Sequence, residues 1–304
     1  MRSQRVEQRR LGQSHGGGKL TMLARSEFLD KSANVKRITY ASPAAVREHF
    51  NADIELRNIL RAYCGMGYES WMPKGFNADK ALEACTMGLP DNVEAIQREK
   101  ARAERLDVQV RFPSWSPDIA GAFPDVPSAI AGDPLSMRRL VDAPNDLRPI
   151  RIFVGMASSS SFSSENLAKR GALVSALALQ LAKTRVVEIY AVNAGACWVC
   201  MVRLPVPTSA SDLSYWICHQ GSVRGLLYAM EKRETGVLSW PIQLSGLRYE
   251  SPEGIAVQAA LFGAKETDIV IPFPLADNAA QAEMLVNSEA WMRNTLERVN
   301  AGVM

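Results

Sequence analysis

The densest run of chemistry-bearing residues is Met156-Ala157-Ser158-Ser159-Ser160-Ser161-Phe162-Ser163-Ser164. It follows a short β-branched strand, Ile150 to Val154, closed by Gly155. It leads into a helix read over about 165–183. In an open parallel sheet, ligands sit beyond the carboxyl ends of the strands, so this loop lies where a ligand would bind. Free backbone N–H groups at the helix start attract anions. Hydroxyls can instead ligate Mg²⁺ or Mn²⁺. The plain alternative is that Ser163 or Ser164 caps the helix while the other serines are solvated. A Gly-rich dinucleotide fingerprint and a Gly-Lys-Ser/Thr phosphate loop are both absent from the sequence.

Cys197-Trp198-Val199-Cys200 has redox spacing. A redox pair would sit at a helix N-terminus, where the dipole lowers the thiol pKa. These residues read as a strand, which points i and i+3 to opposite faces. A second cysteine pair for zinc is missing, and Cys218-His219 makes an irregular ligand set. Neighbours on a helix point about 100° apart, so Cys218 and His219 cannot pair directly. Glu165, Glu188 and Asp212 form no carboxylate dyad. The six tryptophans are scattered and read as core or interdomain anchors.

The elements that would position the serine loop are legible. Leu167, Gly171, Val174, Ala178 and Leu181, widened by Leu173 and Leu177, make the following helix so apolar that more than one side must be covered. Val186 to Val192 is the next strand, giving a βαβ unit with parallel strands. A turn at Asn193-Ala194-Gly195 leads to Trp198–Leu204, an antiparallel hairpin partner. Ser211 is read as the cap of a short helix, and Gly221 separates it from a second one through about Lys232. Asp268 to Ile271 reads as a buried strand, and a final helix covers about 280–300. The stretch 235–265 reads as loop-rich.

Upstream, Ser42 and Pro43 open one helix through about Ala62. Asn77 caps a short helix ending at Gly88, and a polar surface helix follows Pro90 over about 91–106. Asp107 to Phe112 alternates like a strand. The seven prolines across 113–149 exclude long regular elements and mark a linker or extended wrap.

Composition sets the class. The chain has 304 residues, 47% hydrophobic and 22% charged, which excludes a wholly disordered, collagenous or coiled-coil protein. No run approaches the roughly 18–20 apolar residues that span a bilayer. The odd count of five Cys argues against a disulfide scaffold, and no apolar segment follows the first arginines as in a secretory signal. These features lead to the expectation of a cytoplasmic protein without a membrane partner. The net charge of +3 hides a division. Residues 1–37 carry nine basic and three acidic residues, so this arm is +6 and the rest is −3. Arg2, Arg5, Arg9 and Arg10 could bind phosphate backbones. The alternatives are a solvated tail or translation starting at Met22. No aromatic interleaves the arginines before Phe28, so base stacking is unsupported.

The strand, the Met156-x-Ser158-x-Ser160 loop, the helix, the strand and the antiparallel hairpin strand together resemble a von Willebrand factor A-type domain. The resemblance implies a metal-ion-dependent adhesion site with Ser158 and Ser160 as ligands, joined by Thr208 and Asp277. The first carboxylate of that motif is replaced by Met156, which removes the site's main negative charge. The chain is also similar, over roughly 65–300, to a family of unknown function encoded in phages and prophages. The matching motifs are Glu69-Ser70-Trp71, Leu82 to Pro90, the Ala131-Gly132-Asp133-Pro134 turn and Lys169-Arg170-Gly171-Ala172. That resemblance implies no activity.

The sequence therefore leads to three segments: a basic, largely disordered arm (1–37), a helical and Pro-rich wrap (38–147) and a von Willebrand A-like α/β domain (148–304). The leading expectation is a non-catalytic interaction or assembly module of phage or mobile-element origin. Its protein partner would dock over the carboxyl edge of the sheet at Ser158, Ser159, Ser160 and Ser161, with no catalytic residue and no cofactor unless Mg²⁺ or Mn²⁺ binds. Two alternatives are a nucleic-acid binder acting through the arm and a phosphate-handling enzyme using the serine loop.

Overall fold

The computed structural model describes residues 36–65, 76–106, 114–120, 123–141, 149–156, 162–183, 185–194, 198–205, 210–236, 252–273 and 284–301. Five strands form one mixed sheet. They are β1 (Lys36–Tyr40), β5 (Ile150–Gly155), β6 (Val187–Ala194), β7 (Trp198–Leu204) and β8 (Ile269–Ile271), in the order β1-β7-β6-β5-β8. β5 pairs in parallel with β6 and β8, β7 runs antiparallel to β6, and β1 runs parallel to β7. The expected open, mostly parallel sheet with one antiparallel hairpin is present.

Both faces of this sheet are covered, which is why β5 and β6 read as apolar runs rather than clean alternations. Ile150, Ile152, Val154 and Met156 alternate onto one face and join the main core. Phe153, Val192, Ala194 and Val199 face the other way, into a smaller core with Val257, Leu261 and Phe262. Those three belong to α9 (Pro252–Phe262). Between β5 and β6 runs α6 (Ser164–Leu181), in which every residue from Arg170 to Leu179 is buried. The expectation of cover on several sides is met: α6 packs against α4 (Val93–Arg105), α7 (Ser211–Cys218) and α10 (Ser288–Ala301).

The N-terminal helices enter the same core instead of only wrapping it. Val46, Phe50, Leu56 and Leu60 are fully buried in one cluster with the sheet. They lie on α1 (Pro43–Ala52) and α2 (Ile54–Cys64). The single helix expected here is broken at Asp53, which closes α1 and caps α2. Its Oδ1 accepts the N–H groups of Glu55 and Leu56 at 3.0 and 3.1 Å. Strand β1 is also unforeseen, and it puts Lys36 and Arg37 of the basic segment on a sheet edge.

Other caps follow the sequence closely. Ser42 accepts from Ala45, and Asn77 accepts from Lys80 at the start of α3 (Ala78–Met87). Pro90 opens a short 3₁₀ turn before α4 rather than α4 itself. Helix α7 begins at Ser211, so the cap position falls on Ala210, and the break before α8 (Gln220–Thr235) is at His219, not Gly221. The final helix α10 starts at Ser288, after a helical turn over 284–286 and a bend at Asn287; residues 280–283 of the expected helix lie outside the described residues.

The Pro-rich stretch forms a second, small antiparallel sheet. It comprises β2 (Ser114–Asp118), β3 (Phe123–Pro124) and β4 (Met137–Val141) in the order β2-β4-β3. A five-residue helix α5 (Val126–Ile130) lies between β3 and β4. As the proline density requires, none of these elements exceeds five residues. The expected strand at Asp107 to Phe112 lies outside the described residues.

Candidate functional site

The carboxyl ends of β5, β6 and β8 share one edge of the sheet, with the N-terminus of α6 beside them. Ser163 caps α6 by accepting the Asn166 N–H at 3.1 Å, as one of the two capping alternatives anticipated. Both ends of the serine loop are held in the core, since Met156 is fully buried and Phe162 nearly so. The Met156 backbone N–H donates to Val192 at 2.8 Å, prolonging the β5–β6 pairing by one residue. The position where a cation site would need a carboxylate is therefore an apolar side chain in the main core.

The end of β5 is closed from the other side by Phe273. A Cβ on Gly155 would come within 2.6 Å of the Phe273 ring and 2.9 Å of its backbone nitrogen. Only glycine permits that approach. The Phe273 N–H is held by the buried Gln258 side chain at 3.1 Å.

Beneath this edge lies Arg170, fully buried on α6. Its Nη2 donates to the Gly155 carbonyl at 3.2 Å and the Pro272 carbonyl at 2.8 Å. One guanidinium thus ties the ends of the neighbouring parallel strands β5 and β8. Desolvation lowers its pKa from 12.5 to about 9, which still leaves it protonated at neutral pH. Nothing in the local pattern marks this arginine as internal, because Lys169-Arg170 on an amphipathic reading looks like a solvated pair. Gly171 beside it brings α7 close: a Cβ there would lie 2.4 Å from the Ile217 carbonyl oxygen.

The predicted site residues Ser158, Ser159, Ser160, Ser161, Thr208 and Asp277 lie outside the described residues, as do Arg2, Arg5, Arg9 and Arg10. Among the described residues, no group of three or more His, Cys, Asp or Glu could hold a metal ion. The cysteines there are free thiols. Burial pushes Cys85 and Cys218 up to about 12 and raises Cys200 further, so none is a ready nucleophile. Cys218 is buried where α7 packs against Gly171 of α6.

Two open clefts flank the core. One of about 380 Å³ lies at the start of α1, lined by Ser42, Thr86 and Arg203 among others. The other, about 510 Å³, runs between α4 and α6. Its charged lining is Arg98, Arg102, Arg105 and Lys169 against Glu99 and Glu165. Arg102 is neutralised by Glu99 at 3.0 Å, and Lys169 donates to the Leu285 carbonyl at 2.7 Å. No helix among the described residues is long and apolar enough to cross a membrane.

The family motifs read from the sequence have structural roles here. Asp133, in the Ala131–Pro134 turn, accepts the Leu135 N–H at 2.8 Å, and Gly132 adopts φ +74°. Leu89 before Pro90 donates its N–H to Ser214 at 2.8 Å, docking the end of α3 on α7. Arg170 and Gly171 clamp the strand ends and seat α7, whereas Glu69-Ser70-Trp71 lies outside the described residues. No curated protein and no solved structure matches the chain. A family model does match residues 24–301, nearly the whole chain, and the protein belongs to that family, described as a domain of unknown function (DUF7192).

Proposed function

We propose that this chain is a non-catalytic protein-interaction or assembly module with a von Willebrand A-like sheet, of phage or mobile-element origin. The partner docks over the carboxyl edge, at the loop carrying Ser158, Ser159, Ser160 and Ser161. The observation that carries the reading is the closure of that edge by the protein's own side chains. Buried Met156 stands in the carboxylate position, and the Arg170 guanidinium supplies a fixed positive charge beside it. A domain that ties its strand ends together with an internal cation does not need Mg²⁺ or Mn²⁺ for that task. The origin and a virion-associated or cytoplasmic location rest on the sequence resemblance.

Two measurements test the proposal. Melting curves with Mg²⁺ or Mn²⁺ up to millimolar concentration should superimpose on the metal-free curve; a rise that saturates with metal sinks the degenerate-site reading. Affinity purification from the native host or virion should recover a stoichiometric protein partner. Replacing Ser158 and Ser160 with glutamate should release it, and a partner retained by that variant places docking elsewhere.

A second reading, nucleic-acid binding, draws on Arg2, Arg5, Arg9 and Arg10 and on the cleft cations Arg98 and Arg105. It requires retention on DNA or RNA at low salt that weakens steeply as salt rises. Absence of retention at low salt dismisses it.

A further inference from the structure

Strand β1 fixes where the basic N-terminal segment joins the fold. β7 runs antiparallel to β6, and β1 runs parallel to β7. β1 therefore begins at the edge where β5, β6 and β8 end. Its first residue, Lys36, pairs with Trp198, whose neighbour Val199 pairs with Ala194 at the end of β6. The start of β1 is pinned from both sides of the sheet. Lys36 forms an ion pair with Glu234 of α8, which packs into the main core. Arg37 Nε donates at 3.2 Å to the carbonyl of Leu261 on α9, which packs into the smaller core.

The basic segment and the serine loop thus attach to one edge. In the order β1-β7-β6-β5-β8, β1 and β5 are three strand spacings apart, about 14 Å. Lys31 is five residues before Lys36, so the chain holds it within about 18 Å. Arg25, eleven residues before Lys36, is held within about 40 Å. Both can reach the end of β5. Residues 1–35, outside the described residues, bring seven basic and three acidic side chains to this edge, a net of +4.

We infer that the basic segment and the carboxyl edge form one composite docking surface, and that its partner is an acidic protein segment, a run of Asp and Glu. This rests on the docking reading above and names the chemistry of its partner. Charge complementarity selects the occupant. An excess of four positive charges spread over 35 residues suits carboxylates spaced along a peptide. Duplex DNA carries one charge per roughly 1.7 Å, and beyond residue 37 this chain is −3, so the body repels so dense a polyanion. Single strands call for stacking aromatics, which the arginines lack before Phe28.

The probe is a fluorescein-labelled peptide of ten glutamates, titrated by anisotropy against the full chain at about 0.1 M salt. It should bind. Each exposed ion pair is worth up to about five-fold, so replacing Arg9, Arg10, Arg25 and Lys31 with glutamine should weaken it about ten-fold or more. Glutamine at Arg2, Arg5, Arg9 and Arg10 is the second neutralised variant, for use if the first melts early. A pair of single charges tests the placement. Ser158→Glu adds a negative group at the shared edge and should weaken the probe about three-fold. Val186→Glu adds the same charge at the amino end of β6, where Val186 is 58% exposed and its carbonyl accepts from Ile150. β6 has eight residues, so that end is roughly 25 Å from the carboxyl edge, more than two screening lengths, and this variant should bind like the wild type. The inference is overturned by a probe that does not bind, by a Ser158 variant that loses no more than the Val186 variant, or by a 20-base-pair DNA duplex that binds more tightly than the peptide. A native partner released by glutamates at Ser158 and Ser160 but held unchanged by the neutralised variants refutes only this inference. A native partner indifferent to those glutamates refutes the docking proposal, whatever the peptide does.

Discussion

Gly171→Ala should destabilise the protein, although in a helix interior the same change usually helps. Alanine is favoured over glycine there by about 0.5–1 kcal/mol, because glycine loses more backbone freedom on folding. Against that gain stands the close approach of α7. The new Cβ would sit 2.4 Å from the Ile217 carbonyl oxygen, 2.7 Å from the Cys218 Cα and 2.8 Å from the Ile217 carbonyl carbon. These are backbone atoms, so no rotamer change relieves the clash, and α7 must move away by the better part of an ångström. Leu213, Tyr215, Trp216, Ile217 and Cys218 of α7 are all buried, so the movement opens gaps along the whole contact. A radial gap of about 0.5–1 Å forfeits a quarter to a half of each dispersion contact, and overpacking of this kind typically costs about 1–3 kcal/mol. The net effect is a loss of roughly 1–2 kcal/mol after the helix-propensity gain, read as a lower denaturant midpoint at unchanged slope. Gly225→Ala is the control. Its Cβ would meet the Tyr63 ring at 2.8 and 2.9 Å, a side chain that can swing aside. The Gly225 variant should lose less than the Gly171 variant. A Gly171 variant as stable as the wild type, or more so, would refute the packing argument.

Two further outcomes follow from the charges. Arg170→Met keeps an aliphatic stem in the core but leaves the Gly155 and Pro272 carbonyls without this donor; with about 1.5–3 kcal/mol for each hydrogen bond to a charged group, offset by relief of the buried charge, stability should fall by roughly 2–4 kcal/mol, read as a lower denaturant midpoint, and an unchanged midpoint would contradict the clamp. Asp53, Glu104 and Asp125 are each held below their ordinary pKa, chiefly by the Leu56 N–H, Lys183 and Arg138 respectively. A depressed carboxylate contributes stability that is complete above its unfolded value, 3.8 for Asp and 4.5 for Glu, and is lost as pH falls through the lower folded value. Melting temperature should therefore drop on acidification below about pH 4, and Asp53→Asn should flatten part of that drop; an identical acid profile would remove Asp53 from the explanation.

How far the sequence carried the fold depends on where the period is visible. The β5–α6–β6–β7 unit could be read because its elements differ in period, have clear ends at Gly155 and Ser163, and join through short connections. Helix α9 could not, because Ile255, Ala256, Val257, Ala259, Ala260, Leu261 and Phe262 leave almost no polar side to mark a stripe. The break at Asp53 was hidden by the continuous apolar spacing of α1 and α2; local capping by the carboxylate outweighs that spacing. Strand β1 is five residues at an edge, and its partner β7 lies about 160 positions later, a pairing no local pattern announces.

The same distinction explains the site. The resemblance to a von Willebrand A-type motif implies a carboxylate where Met156 stands, and it pointed only to something missing. What fills the gap is visible in three dimensions alone. Arg170 lies 15 residues from Gly155 and 102 from Pro272, yet one of its nitrogens reaches both carbonyls. An isolated guanidinium inside an apolar core would be costly, and the strand-end carbonyls are among the groups that make it tolerable. Those carbonyls lie at the carboxyl ends of β5 and β8. An external cation is one answer to that concentration of oxygen atoms; an internal one is another. Choosing the internal cation joins the ends of β5 and β8 through side-chain to backbone hydrogen bonds alone.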